Sequence, residues 1–206
     1  MRMLFALAAI VASPPDVTKM VLTPAQVGPG YVLLQRRDGL GVKNTVTMDL
    51  CGRTGYSSEK LRTARLQVNY LKRGTTLGLS NEVVSYKQGG AAQAMAEALR
   101  HARSCPSTPI ATGDPTLPPL RFKITRITGS KLLKGYLAVR VRVTGTVQGK
   151  HVDNTSYAVY QQLGNLLSGT YSFGPNTKAQ LAFVLHAAQQ SAANLRRGHA
   201  AGGPTA

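Results

Sequence analysis

Cys51 and Cys105 are the two cysteines of this 206-residue chain, and what their thiols can do depends on compartment. Residues 1–12, MRMLFALAAIVA, read as an export signal: Arg2 gives a positive start, Leu4 to Val11 an apolar run, and Ala12 or Ser13 a small residue for cleavage. As a helix the run would reach only about 14 Å, too short for a bilayer core of roughly 30 Å. An exported chain with an even cysteine count is expected to bond Cys51 to Cys105. In the chain-entropy account that closure contributes roughly 4 kcal/mol. The expectation is a secreted, extracytoplasmic protein with no transmembrane anchor after signal cleavage. No cysteine follows the apolar run to carry a lipid.

Other reactive residue types are present without the spacing that makes them a site. His101, His151, His186 and His199 contain no pair four apart on a helix, so no metal ligand set is expected. Serine, histidine and aspartate all occur, but no GxSxG or paired-carboxylate motif gathers them, so no catalytic residues and no cofactor are expected. Gly89-Gly90 lacks the lysine and spacing of a phosphate loop and reads as a strand-to-helix turn.

Two polar residues within an apolar strand point to a specific role. Asn81 shares a face with Leu77, Leu79 and Val83, and a buried amide without partners costs roughly 1–3 kcal/mol. It is expected to bond a loop near the disulfide or to line a cleft. Glu82, on the opposite face, is expected to pair with a base such as Arg65 on the neighbouring strand. A third cluster is basic: Arg121, Lys123, Arg140 and Arg142 alternate with apolar residues in a stretch, residues 115–152, that carries no acid. A hairpin turn at Thr128–Lys134 would set Arg121 opposite Arg142 and Lys123 opposite Arg140. A following turn at Gly149-Lys150 would put Tyr157 opposite Arg142, where its ring could stack on the guanidinium. This face is either simply solvated or an anion-binding surface. The whole chain, with 25 Lys and Arg against 8 Asp and Glu and a formal charge of +17, favours anionic surroundings such as cell-envelope polymers, lipid headgroups or nucleic acid.

These residues need elements to hold them. Residues 13–22 read as a linker, and Thr23-Pro24 opens a short helical turn closed by Gly28. Tyr31 to Gln35 could be a strand. Arg65–Arg73 and Leu77–Tyr86 alternate as a hairpin around Gly74. The helix that follows would bury Ala92, Met95, Leu99 and Ala102. Four more strands follow beyond a proline-rich connection, and then a helix over 176–197 with Leu181, Leu185, Ala188, Ala192 and Leu195 in register. The order β-β-α-β-β-β-β-α predicts an α+β domain over residues 23–197: a mainly antiparallel sheet, both helices on one face, and one disulfide. Residues 198–206 read as a disordered tail.

From Thr23 to Pro106 the run LTPAQVGPGY, then MDLCG, QVNYLKRG and SNEVVSYKQGGAAQAMAEALRHARSCP resembles the PknH-like extracellular sensor domain. That family forms the external part of some mycobacterial serine/threonine kinases and recurs in actinobacterial secreted proteins and lipoproteins. The resemblance implies an antiparallel sheet and helices around a cleft for an unidentified small-molecule or lipid-like ligand. Several members carry a second disulfide that this chain lacks, and no kinase domain is present in this sequence. Three readings follow: a non-catalytic sensor-like domain with a ligand cleft, a secreted binder of polyanions using the basic face, and an enzyme, which lacks a motif.

Overall fold

The computed structural model describes residues 16–37, 45–112, 116–174 and 178–201; the export-like segment 1–12 lies outside them. Helix α1 (Pro24–Val27) and strand β1 (Tyr31–Arg37) precede the hairpin β2 (Arg62–Lys72) and β3 (Gly78–Tyr86). Helix α2 (Gly90–Arg103) leads to β4 (Arg121–Arg126), β5 (Leu137–Val147), β6 (Lys150–Leu163) and β7 (Leu166–Phe173). The chain closes with α3 (Lys178–Ala201). All seven strands join one antiparallel sheet in the order β1-β2-β3-β7-β6-β5-β4. The predicted order holds, with β1 added at one edge.

The two helices do not share a face. On β3, Leu79 and Val83 point toward α3 with Leu66, Val68 and Tyr70 of β2. Val84 and Tyr86 point the other way, toward Ala91, Ala94, Met95 and Ala98 of α2. The central strands are therefore covered on both faces. Nine successive buried residues, from Gly78 to Tyr86, are the result. The alternation within the peripheral β4–β5 pair suggested a single covered face, but the centre of the sheet is a three-layer structure. The stripe on α2 is also rotated from the expected one: Ala92 is exposed, and Ala91, Ala94, Met95 and Ala98 are buried.

Two segments read as loose are packed. Instead of a linker, residues 16–22 form a short 3-10 turn, Val17–Lys19, with Asp16 accepting from the Thr18 amide at 3.0 Å. Val17, Met20, Val21 and Leu22 are all buried between α3 and the sheet. Asn194 on α3 donates to the Met20 and Val21 carbonyls at 3.1 and 3.2 Å, and the Tyr70 hydroxyl donates to the Leu22 carbonyl at 2.6 Å. At the other end α3 runs on to Ala201, so residues 198–201 are helical rather than part of a tail. Gly198 makes room for Met20: a Cβ there would sit 2.3 Å from its terminal carbon.

Candidate ligand cleft and basic sheet face

α2 covers only part of its face of the sheet, and residues 45–52 cross the remainder as a wall fixed at both ends. At the first end are two buried ion pairs. Arg62 meets Glu59 at 3.0 Å, and Arg65 meets Glu82 through its Nε. Thr47 joins them: its hydroxyl accepts from Arg62 at 3.0 Å and donates to Glu82 at 3.1 Å, and its amide donates to Glu59 at 3.2 Å. Removing one member of such a pair strands the other charge, typically at a cost of about 3–5 kcal/mol. At the second end Cys51 and Cys105 are bonded, with a Cα separation of 5.7 Å that lies in the ordinary disulfide range. Cys51 takes φ 58°, and Gly52 at φ 67° packs so closely on the Ala111 carbonyl that a Cβ would lie 2.5 Å from its oxygen.

On one side of this wall lies a polar chamber of about 500 Å³ over β2, β3 and β7, lined by Thr45, Thr47, Asp49, Arg65, Gln67, Ser80, Glu82 and Tyr171. Gln67 accepts from the Arg65 Nη2 at 2.6 Å and donates to Ser80 at 2.7 Å. Arg65 Nη1 and Glu82 Oε2 make no hydrogen bond among the described residues, which leaves a donor and an acceptor at the chamber. Burial pushes the Glu82 carboxyl up, against the pull of Arg65 and the Thr47 hydroxyl. Asp49 is exposed to solvent yet surrounded by protein, and this partial desolvation raises its carboxyl.

On the other side is a second chamber of about 200 Å³, lined mainly by apolar groups: Leu50, Phe122, Val141, Val143, Ala158 and Tyr160. Asp49 and Tyr171 border both chambers. The Tyr171 ring leans back over Gly169, where a Cβ would come within 2.0 Å of its hydroxyl. It packs edge-on against Tyr160 at 5.5 Å, and its hydroxyl reaches the Thr47 carbonyl at 3.5 Å.

The basic residues lie on the other face, the α3 side of the β4–β5 pair, beyond where α3 reaches. Arg121, Lys123, Arg140 and Arg142 are all exposed. Their pairing differs from the expected register by two residues, which preserves the face. Lys123 stands opposite Arg142, Arg121 opposite Thr144 and Thr125 opposite Arg140. The cause is the β4–β5 connection, which tucks Leu133 into the core and ties its amide to Gln161 at 3.0 Å. The next turn is Gln148-Gly149, both at positive φ (50° and 75°), as a two-residue hairpin turn requires. Tyr157 therefore faces Arg140 rather than Arg142, and it is buried in the α3-side core. Arg142 forms a two-point bridge with Asp153 at 2.8 and 2.5 Å, which relieves the opposed Lys123.

Asn81 does not line the cleft, nor does it meet a loop near the disulfide. Fully buried under α3, it accepts from the Leu22 amide at 2.9 Å and donates to Gly169, Ser168 and Ser191. Glu82 does reach the chamber, paired with Arg65 as its position suggested. Sequence reasoning missed Asp49, Gln67, Tyr171 and the apolar lining. Of these only Gln67 carried a signal, as a polar residue that alternates with Leu66 and Val68 beside Arg65. Among the described residues, no three of His, Cys, Asp or Glu come together as a metal-holding group, and no helix is long and apolar enough to cross a membrane.

No family model matches the sequence, and no curated protein matches it. Among solved structures, the chain is similar to the extracellular domain of PknH from Mycobacterium tuberculosis. The TM-score is 0.55 at 11% identity, over 87% of this chain and 98% of that one. At that identity the likeness is one of fold: this chain folds like that extracellular domain.

Proposed function

We propose that the chain is an extracytoplasmic, non-catalytic ligand-binding domain of the sensor type, taking a small-molecule or lipid-like ligand in the cleft on the α2 side of the sheet. The observation that carries this reading is the wall over residues 45–52, fixed by ion pairs at one end and a disulfide at the other, with a chamber on each side. The disulfide and the sensor-domain fold support the compartment. Native mass spectrometry of the exported protein, followed by solvent extraction, tests it. A bound mass that disappears on denaturation is expected, and it should be reduced in Ser80→Tyr, which fills the polar chamber. A protein that carries no bound mass and gives no shift in cleft resonances against a metabolite library overturns the reading.

A second reading rests on the basic face. Arg121, Lys123 and Arg140 are exposed there and form no ion pair with the described acids, so this face attracts an anionic polymer. Lys123→Gln with Arg140→Gln should elute from heparin at lower salt than a double change at Arg100 and Arg196, exposed elsewhere. Equal elution removes any special role for the face.

A further inference from the structure

We infer that the cleft takes a neutral amphiphile, with a hydroxyl-rich head in the polar chamber and a short apolar tail passing Tyr171 into the second chamber. This deepens the cleft reading above and rests on it. Head chemistry follows from charge. Arg62 and Arg65 stand beside Glu59, Glu82 and Asp49, so the local charges nearly cancel although the chain carries +17. An anionic head would meet the Glu82 and Asp49 carboxyls, and a cationic head would meet Arg65, each without the screening that bulk water provides. A hydroxyl both donates and accepts, which matches the unpaired Arg65 Nη1 and Glu82 Oε2, and Ser80 and Gln67 extend the same polar floor.

Tail chemistry follows from the second chamber. Leu50, Phe122, Val141, Val143 and Ala158 form most of its lining, beside Ser156, Ser172 and the shared Asp49, so a hydroxyl-rich head finds fewer partners there than over Arg65, Gln67, Ser80 and Glu82. The two chambers adjoin, with Asp49 and Tyr171 bordering both. A molecule spanning them runs along the Tyr171 ring, a surface that accepts apolar contact on its face and a hydrogen bond at its tip.

The test is an amide NMR titration of the intact protein with hexyl glucoside, glucose and hexyl phosphate, all below micellar concentration. Hexyl glucoside is expected to shift resonances of both chambers, Gln67 and Ser80 on one side and Val143 and Ala158 on the other. Its affinity should exceed that of glucose at least about tenfold, the equivalent of about two buried methylenes, and should exceed that of hexyl phosphate. Val143→Asp should cut hexyl glucoside to the level of glucose. Val143→Thr, closer in shape, should give a smaller loss in the same direction if the aspartate variant does not fold. Asp49→Asn, at an exposed position, should narrow the gap between hexyl glucoside and hexyl phosphate. The inference is overturned if hexyl phosphate binds as tightly as the glucoside, if glucose matches it, or if shifts stay in one chamber. An anionic ligand extracted from the exported protein would also overturn it, while leaving the cleft reading in place.

Discussion

Glu82 and Glu97 are both buried carboxylates, and their surroundings drive their protonation in opposite directions. For Glu82 burial dominates and lifts the group from an ordinary 4.5 to about 7, against the attraction of Arg65. Its folded value exceeds its unfolded one, so its contribution to stability is full below about 4.5 and is lost as pH rises toward 7. For Glu97 burial also raises the carboxyl, but hydrogen bonds from Ser57, Ser58 and Gln93 outweigh it and hold the group below 4.5. Its contribution is present above 4.5 and is lost as pH falls through the depressed value. Urea midpoints from pH 3 to 8 check both signs. The deficit of Glu82→Gln should shrink as pH rises from 4.5 to 7, and that of Glu97→Gln should shrink as pH falls below 4.5. Deficits that stay constant with pH would contradict the assignment. Asn81 gives a simpler test: Asn81→Leu leaves the Leu22 amide without its acceptor and should cost about 2–3 kcal/mol in the same measurement. A loss below about 0.5 kcal/mol would mean that the Asn81 bonds are dispensable.

Among the elements, the wall over residues 45–52 is the one whose loss separates stability from shape. Replacing Cys51 and Cys105 by serine should cost about 4 kcal/mol for a sequence separation of 54. Hydrogen exchange should quicken first at residues 48–53, with β3 and β7 still protected, because the ion pairs at Arg62 and Arg65 keep only the far end in place. Uniform loss of protection would show that the disulfide holds the whole domain rather than the wall. Strands β2 to β7 and helices α2 and α3 were legible in the sequence because alternation and three-to-four spacing are local. The placing of α2 and α3 on opposite faces was not. It is set by strands such as β3, where Leu79 and Val83 face α3 while Val84 and Tyr86 face α2, and burial on both faces erases the alternation that would assign a side. The cleft was half legible. Glu82 and Arg65 stood out as charges in apolar strands. Asp49, Phe122 and Tyr171 became neighbours only through the wall and the long-range pairing of β7 with β3 and β6. The register of β4 with β5 was missed because Leu133, in the connection, is a core residue.

Across the whole molecule the sheet divides two environments. The N-terminal segment and the last turns of α3 meet on one side, where Met20 rests on Gly198, and both chambers open on the other. The two ends of the described chain thus leave the domain from neighbouring points, like the leads of a component mounted from behind. A linker fused ahead of Asp16 or after Ala201 would hold the domain by the same corner and turn the chambers outward in either case. Protein coupled to a sensor chip through a tag at one end or the other should therefore give the same capacity and affinity for a cleft ligand. A capacity that depends on which end is tethered would mean that one attachment blocks the chambers.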